Sequence, residues 1–316
     1  MDFARVAVKR LGAVVVLLLA LSVLTYALLA LAPGGPEQAL LGDRASTPET
    51  RAAIRALYHL DEPFPVRYWE WLTGALSGDF GSSIYFRQPV LSVIGDRLPV
   101  TTTLAGFAIL LTLAVGIPAG LTAGLRRGGA LDQGITFSTL VALAFPPFGI
   151  ALVLLYTFGV ALQWVPIYGS DQISNYVLPA TALALGQAAV VIRQTRAAAL
   201  DVGGQDYVTF ARARGLSRLR IWGGYSLRNA ALPVLTVAGL LAAGNLTGAV
   251  FVEQAFSLPG LGSLLIQAVN QKDIPLVQAL VLLGGAVVIA VNLLVDLAYM
   301  VVDPRVRHGA STRAEA

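Results

Sequence analysis

The sequence contains no cysteine and only two histidines, His59 and His308, and its lysines are Lys9 and Lys272 alone. Without cysteine there is no disulfide, no thiolate metal site and no cysteine nucleophile. The two lysines follow Val8 and Gln271 rather than glycine. No G-x-x-x-x-G-K-[ST] loop is present, so the chain does not hydrolyse ATP through a P-loop. Both histidines fall outside the apolar runs, which argues against a histidine-based protease or metal centre. Charge is also scarce: 13% of the 316 residues, against about 25% in ordinary soluble domains.

Apolar side chains fill the deficit, at 56% of the chain, and mean hydropathy is +0.71. That excludes a disordered chain, a nucleic-acid-binding tail and an ordinary soluble enzyme. No nucleic-acid partner is expected, because a basic pI near 9.5 in a membrane protein marks the cytoplasmic side. A bilayer core needs about 20 apolar helical residues. Six runs qualify or nearly so: Leu11–Ala32, Pro99–Leu125, Gln133–Val165, Val177–Ile192, Ala230–Val252 and Pro275–Val302. The first five hold no Asp, Glu, Lys or Arg, and the sixth holds only Asp296. Leu11–Ala32 is too long for the apolar core of a signal peptide and is read as a retained first span. The expected fold is therefore all-α and polytopic, with six transmembrane helices.

With the N-terminus in the cytoplasm, fifteen Lys and Arg residues fall inside and seven outside, which favours both termini inside. The expected organisation is an N-terminus and first helix over 1–32, an external helical region over 33–96, a five-helix membrane domain over 97–302 and a cytoplasmic tail over 303–316. Externally, Thr47-Pro48 reads as a cap and first helical residue, Val66, Trp69, Leu72 and Leu76 as the face of a second amphipathic helix, and Gly78 and Gly81 as its breakers. Tyr68, Trp69 and Trp71 suit the membrane interface. Pro99 is expected to start the second span. Pro118 and Pro146-Pro147 are expected to kink their helices. Gly116, Gly120 and Gly124, and again Gly244 and Gly248, predict close helix packing.

The internal segment Arg193–Asn229 carries seven arginines and yet has the signals of a folded element. Gln205–Arg214 reads as a short helix, with Asp206 at its start, Arg212 and Arg214 in its last turn, and Gly215 as the left-handed residue that ends it. Tyr207, Ala211 and Arg214 share one side by spacing. Ser217 is expected to cap a second helix through Leu227. Tyr207, Phe210, Ile221, Trp222 and Tyr225 imply burial against something. On the residues alone, the membrane face with its anionic lipid and a cytoplasmic protein stay equally open.

Several motifs, in order along nearly the whole chain, carry a family likeness. The run Gln205-Asp206-Tyr207-Val208-Thr209-Phe210-Ala211-Arg212-Ala213-Arg214-Gly215-Leu216-Ser217 resembles the cytoplasmic "EAA" loop of ABC importer permeases, in the form found in dipeptide and oligopeptide permeases. Leu31-Ala32-Pro33-Gly34-Gly35-Pro36, Gly78-Asp79-Phe80-Gly81, Arg97-Leu98-Pro99, Phe256-Ser257-Leu258-Pro259-Gly260-Leu261-Gly262 and Asp303-Pro304-Arg305-Val306-Arg307 are similar to the first permease subunit of these systems. Arg214 stands where lysine is usual, and Tyr225 where histidine is common.

The resemblance implies a type I ABC importer permease fold and no enzyme activity in this chain. It implies a second permease subunit, two ATPase subunits that bind ATP and Mg, an extracellular or periplasmic peptide-binding protein, and surrounding membrane lipid. No cofactor or metal is implied for this chain. ATPase coupling would fall to Gln205, Asp206, Tyr207, Phe210, Ala211, Arg212, Arg214, Gly215 and Leu216. Candidates for the translocation path are the polar residues of the apolar spans, Asn245, Thr247, Asn292 and Asp296, with interhelical hydrogen bonding as the competing reading. Nickel chelates, glutathione or another small solute stay open as cargo. A stand-alone secondary transporter rests on Asp296 alone, and a membrane scaffold accounts poorly for the folded arginine segment.

Overall fold

The computed structural model describes residues 3–30, 48–57, 61–221, 223–224 and 227–302. These form α1 (Phe3–Ala30), α2 (Pro48–Leu57), α3 (Phe64–Leu76), α4 (Val90–Leu125), α5 (Ala130–Ala144) and α6 (Pro147–Leu154). A π-helical turn, Leu155–Ala161, prolongs α6. There follow α7 (Val177–Gly203), α8 (Asp206–Ala213), α9 (Arg218–Ile221), α10 (Leu227–Ala255), α11 (Leu261–Asn270) and α12 (Ile274–Val302). Among the described residues the sole β feature is a bridge between Ser82 and Pro89.

Three continuous helical stretches are long and apolar enough to cross a bilayer: Val90–Leu125, Ile173–Gly203 and Ile274–Val295. Two bent pairs bring the number to five if each pair is one span, and Leu11–Ala27 is a shorter apolar helix. Several expected boundaries move. Pro99 does not start its helix: α4 begins at Val90, whose N–H donates to the Gly81 carbonyl at 3.0 Å, and runs through Pro99 and Pro118. Hydropathy misses this extension because it carries the charges of Asp96, exposed, and Arg97, partly exposed, while Val93 and Ile94 are buried. The third apolar run is two helices bent by 99°. Pro146 lacks a backbone donor and holds Phe145 extended, at φ −99° and ψ 133°, so the helix cannot continue. The fourth run extends to Gly203, so Arg193 and Arg196 lie on a helix rather than in a loop. After Ser217, Arg218–Ile221 is α-helical and Gly223 and Gly224 are π-helical, while the rest of the expected helix, Trp222, Tyr225 and Ser226, lies outside the described residues.

The chain forms two compact units. One comprises residues 2–100 and 259–289. Its core joins Val90, Val93 and Ile94 of α4, Leu261, Leu264 and Ala268 of α11, and Leu276, Ala279 and Leu280 of α12. Elsewhere in this unit, Tyr26 of α1 packs against Phe64, Tyr68 and Trp71 at centroid distances of 5.5, 5.7 and 5.4 Å. Ser22 and Tyr68 hydroxyls share a 2.7 Å hydrogen bond. Trp69 stays exposed.

Asp273, fully buried, organises the same unit. It accepts hydrogen bonds from the Ser83 hydroxyl, from Tyr85 N–H at 3.1 Å and from Leu276 N–H at 3.4 Å. It thereby ties the Gly78–Pro89 turn to the first turn of α12. Asp273→Ala strands those donors, each at a cost of about 1–3 kcal/mol. A clear fall in the thermal unfolding midpoint in detergent is expected, and an unchanged midpoint would show that the turn is held by other contacts.

The other unit comprises the described residues of 101–258 and 290–302. Its core is α7, thirteen of whose residues are buried, packed against α5, α6 and α10 and approached closely by the glycines of α4. The α4 glycine row explains the α4–α7 approach. A Cβ on Gly116 would lie 2.7 Å from Val191, one on Gly120 2.7 Å from the Ile192 carbonyl, and one on Gly124 2.7 Å from Ala199. The second glycine pair does not behave this way. Gly248 sits in ordinary contact with Leu183, and a Cβ on Gly244 would have nothing within 4 Å among the described residues. In α10 the close approach occurs instead at Gly239, which faces Val295.

Candidate functional site

The α7 helix ends at Gly203, and after Gly204 and Gln205 the chain enters α8. The Gln205 carbonyl takes the first free donors of α8, Val208 N–H at 3.0 Å and Thr209 N–H at 3.3 Å. Asp206 places a carboxylate in the first turn. At the far end Gly215 adopts φ +75°, and Leu216 N–H donates back to the Ala211 carbonyl at 3.2 Å. This six-to-one bond with a left-handed glycine is a Schellman ending. Both ends of the helix are thus closed by local chemistry.

Burial divides α8 into two faces. Val208 and Ala211 are buried with Val202 of α7 and Ile221 of α9, and Leu216 packs beside them. The opposite face carries Phe210, 72% exposed, and Tyr207, 42% exposed, beside exposed Gln205, Asp206, Thr209 and Arg214. The spacing argument that put Tyr207, Ala211 and Arg214 on one side therefore fails: Ala211 faces inward, and the other two face out. Leu216 belongs to the seat of the helix rather than to its outer face. The side chain of Arg212 lies outside the described residues, as do Trp222 and Tyr225.

Of the four intramembrane polar candidates, Asn245 and Asn292 have described side chains. Asn245 on α10 is fully buried and accepts a hydrogen bond from Gln187 Nε2 of α7. Thr112 of α4 donates to Gln187 Oε1 at 3.4 Å. Asn245 Nδ2 is buried with no partner among the described residues. Asn292 is exposed on α12. The side chains of Thr247 and Asp296 lie outside the described residues. Sequence reasoning missed Gln187 and Glu253. Glu253, fully buried, receives the Thr101 hydroxyl at 2.6 Å. It stands one residue beyond the apolar run that ended at Val252, although its helix continues to Ala255.

A second omission is an ion pair. Arg196 Nε and Nη2 donate to the two oxygens of Asp132, at 2.6 and 2.9 Å. Among the described residues no group of three or more His, Asp or Glu side chains could hold a metal ion.

The family of inner membrane components of binding-protein-dependent transport systems matches residues 116–308. The corresponding N-terminal membrane component family matches residues 3–105. The chain belongs to this family. It is 38% identical to a putative peptide transport system permease protein of Brucella abortus (strain 2308), covering 95% of this chain and 98% of the relative. It is 35% identical to the dipeptide transport system permease protein of Escherichia coli (strain K12), again covering 95% and 98%. A probable peptide ABC transporter permease protein of Sinorhizobium fredii is 33% identical over the same shares. Membership makes this a multi-pass membrane component, in keeping with its apolar helices. The α8 segment lies within the matched region.

Proposed function

We propose that this chain is one permease subunit of an ATP-driven, binding-protein-dependent importer of di- and oligopeptides. The observation that carries this reading is the outer face of α8. A short helix, closed at both ends and seated on an apolar cluster, presents Phe210 and Tyr207 outward. Exposed aromatics amid polar neighbours suit a protein interface. The relatives named as peptide permeases cover nearly the whole chain and support peptide as cargo. The Lys and Arg asymmetry supports placing α8 and both termini in the cytoplasm.

A second permease subunit would complete the pathway. Two ATPase subunits would bind ATP and Mg and engage α8, and an external binding protein would deliver peptide. This chain would hold no cofactor itself. Closure of the ATPases would move α8 and bias a bundle with two arrangements, since a ligand shifts such an equilibrium by its differential affinity for the two states.

Two measurements test the reading. The tagged chain, purified from native membranes in mild detergent, is expected to bring a second permease and P-loop ATPases with it. Recovery of the chain alone, where other membrane complexes survive, would sink the proposal. In the reconstituted complex with its binding protein, ATP is expected to drive uptake of a radiolabelled dipeptide. Phe210→Ala is expected to leave the helix intact, because alanine is the better helix former and the ring is exposed. Truncating a central aromatic anchor costs about 2 kcal/mol, or roughly 30-fold in ATPase affinity. Wild-type affinity in this variant would remove Phe210 from the interface.

A further inference from the structure

The ion pair between Asp132 and Arg196 joins residues 64 apart in sequence, and the proposed function does not use it. Asp132 is almost wholly buried in the first turn of α5, while Arg196 is partly exposed on α7. The carboxylate also accepts Gly128 N–H at 2.9 Å. Gly128 has φ +77° and lies in the turn from α4 to α5. One side chain therefore fixes the α4–α5 turn, the start of α5 and the lower part of α7.

The glycine row converges on the same place. A Cβ on Gly120 would fall 2.7 Å from Thr195, and one on Gly124 3.1 Å from the Arg196 carbonyl. From Arg196, α7 continues without interruption to Gly203, where the α8 seat begins with Val202. Movement of α8 thus enters α7 within two helical turns of the ion pair. A buried ion pair contributes little net stability over apolar packing, and its best-attested use is to fix one arrangement among several.

We infer that Asp132 and Arg196 are positioning residues that clamp α4, α5 and α7 into one rigid block, so that movement of α8 reaches all three helices together. This rests on the coupling reading of α8. Neither residue touches peptide or nucleotide. Without the pair, α7 moves relative to α5 and the nucleotide cycle loses its grip on that part of the bundle.

The test uses the assembled importer, in wild type and in the Asp132→Asn, Arg196→Gln and Arg196→Lys variants. Because the chain has no native cysteine, spin labels can be placed on this subunit through Ser138→Cys on α5 and Asp201→Cys on α7, both exposed. With the pair intact, the label-to-label distance is expected to stay the same in the nucleotide-free and ATP–vanadate states. In Asp132→Asn and Arg196→Gln it is expected to differ between the two states. ATPase subunits and basal hydrolysis should be retained, while ATP-driven dipeptide uptake falls by about fivefold or more, a typical coupling factor between sites. Arg196→Lys keeps the charge and should recover part of the uptake.

A distance that changes with nucleotide in wild type overturns the rigid block. One that stays constant in the neutral variants overturns the need for the pair. Loss of the complex in both neutral variants makes the pair a folding element and overturns the positioning role as well. The distances do not depend on cargo. Failure of wild-type dipeptide uptake with normal distance behaviour would therefore count against the peptide reading and leave the clamp standing.

Discussion

Replacing Ala211 with arginine is expected to unseat α8 and abolish recovery of ATPase subunits with the tagged chain. Ala211 is 4% exposed and sits in a cluster with Val202, Val208 and Ile221. That cluster is small. Burying one large apolar side chain stabilises by about 1.5–3 kcal/mol. An unpaired buried charge costs several kcal/mol even after relaxation, about as much as the seat provides. The arginine therefore goes to water and takes the helix with it. Hydrogen exchange over 202–221 should rise towards that of an unfolded segment, while the membrane helices keep their protection. Phe210→Ala is the informative contrast, because it should lose docking without losing protection. Wild-type uptake and wild-type exchange in Ala211→Arg would show that the seat does not hold α8.

Gly120→Leu is expected to have the largest effect on the membrane part. The first added atom would already stand 2.7 Å from both the Ile192 carbonyl and Thr195 Cβ. Backbone cannot yield there as a flexible side chain could, so α4 and α7 must separate. Overpacking in a well-packed site costs about 1–3 kcal/mol, occasionally more. Separation also pulls on the Asp132–Arg196 pair and opens the row at Gly116 and Gly124. Low recovery of folded protein and a large drop in the unfolding midpoint are expected. Gly106→Leu serves as the control: it lies on the same helix, gains the same helix propensity and has nothing within 4 Å. Equal behaviour of the two variants would remove the close α4–α7 approach as a determinant of stability.

The contrast between the glycine rows shows where sequence reading works. Gly116, Gly120 and Gly124 and the pair Gly244 and Gly248 have the same spacing. Spacing fixes only that residues share a face, and whether another helix lies there depends on segments far away in the chain. The first row meets α7, while Gly244 meets nothing within 4 Å among the described residues. The α8 segment divides the same way. Its ends were legible because Asp206 and Gly215 act on their own backbone neighbours. Its inner face was not, because Ala211 turns inward to meet Val202 and Ile221 from the flanking helices.

Glu253 escaped notice through a boundary, since hydropathy stops at the first charge whereas a helix continues as long as its backbone is bonded. Asp273 gave no signal at all. Its partner Ser83 stands 190 residues earlier, and only the fold brings the two together.

The sequence by itself determined the solvent, the all-helical class, the closed ends of α8 and the family. Each of these depends on composition, on long uncharged runs or on contacts within a few residues. The tertiary structure alone decided which face of α8 is free, which glycines admit a neighbouring helix, and which carboxylate receives Arg196. Those outcomes depend on side chains from different helices, as far apart in sequence as Gly116 and Val191, arriving at one place. No local pattern encodes such a meeting, because the energy that selects it comes from packing the whole bundle at once.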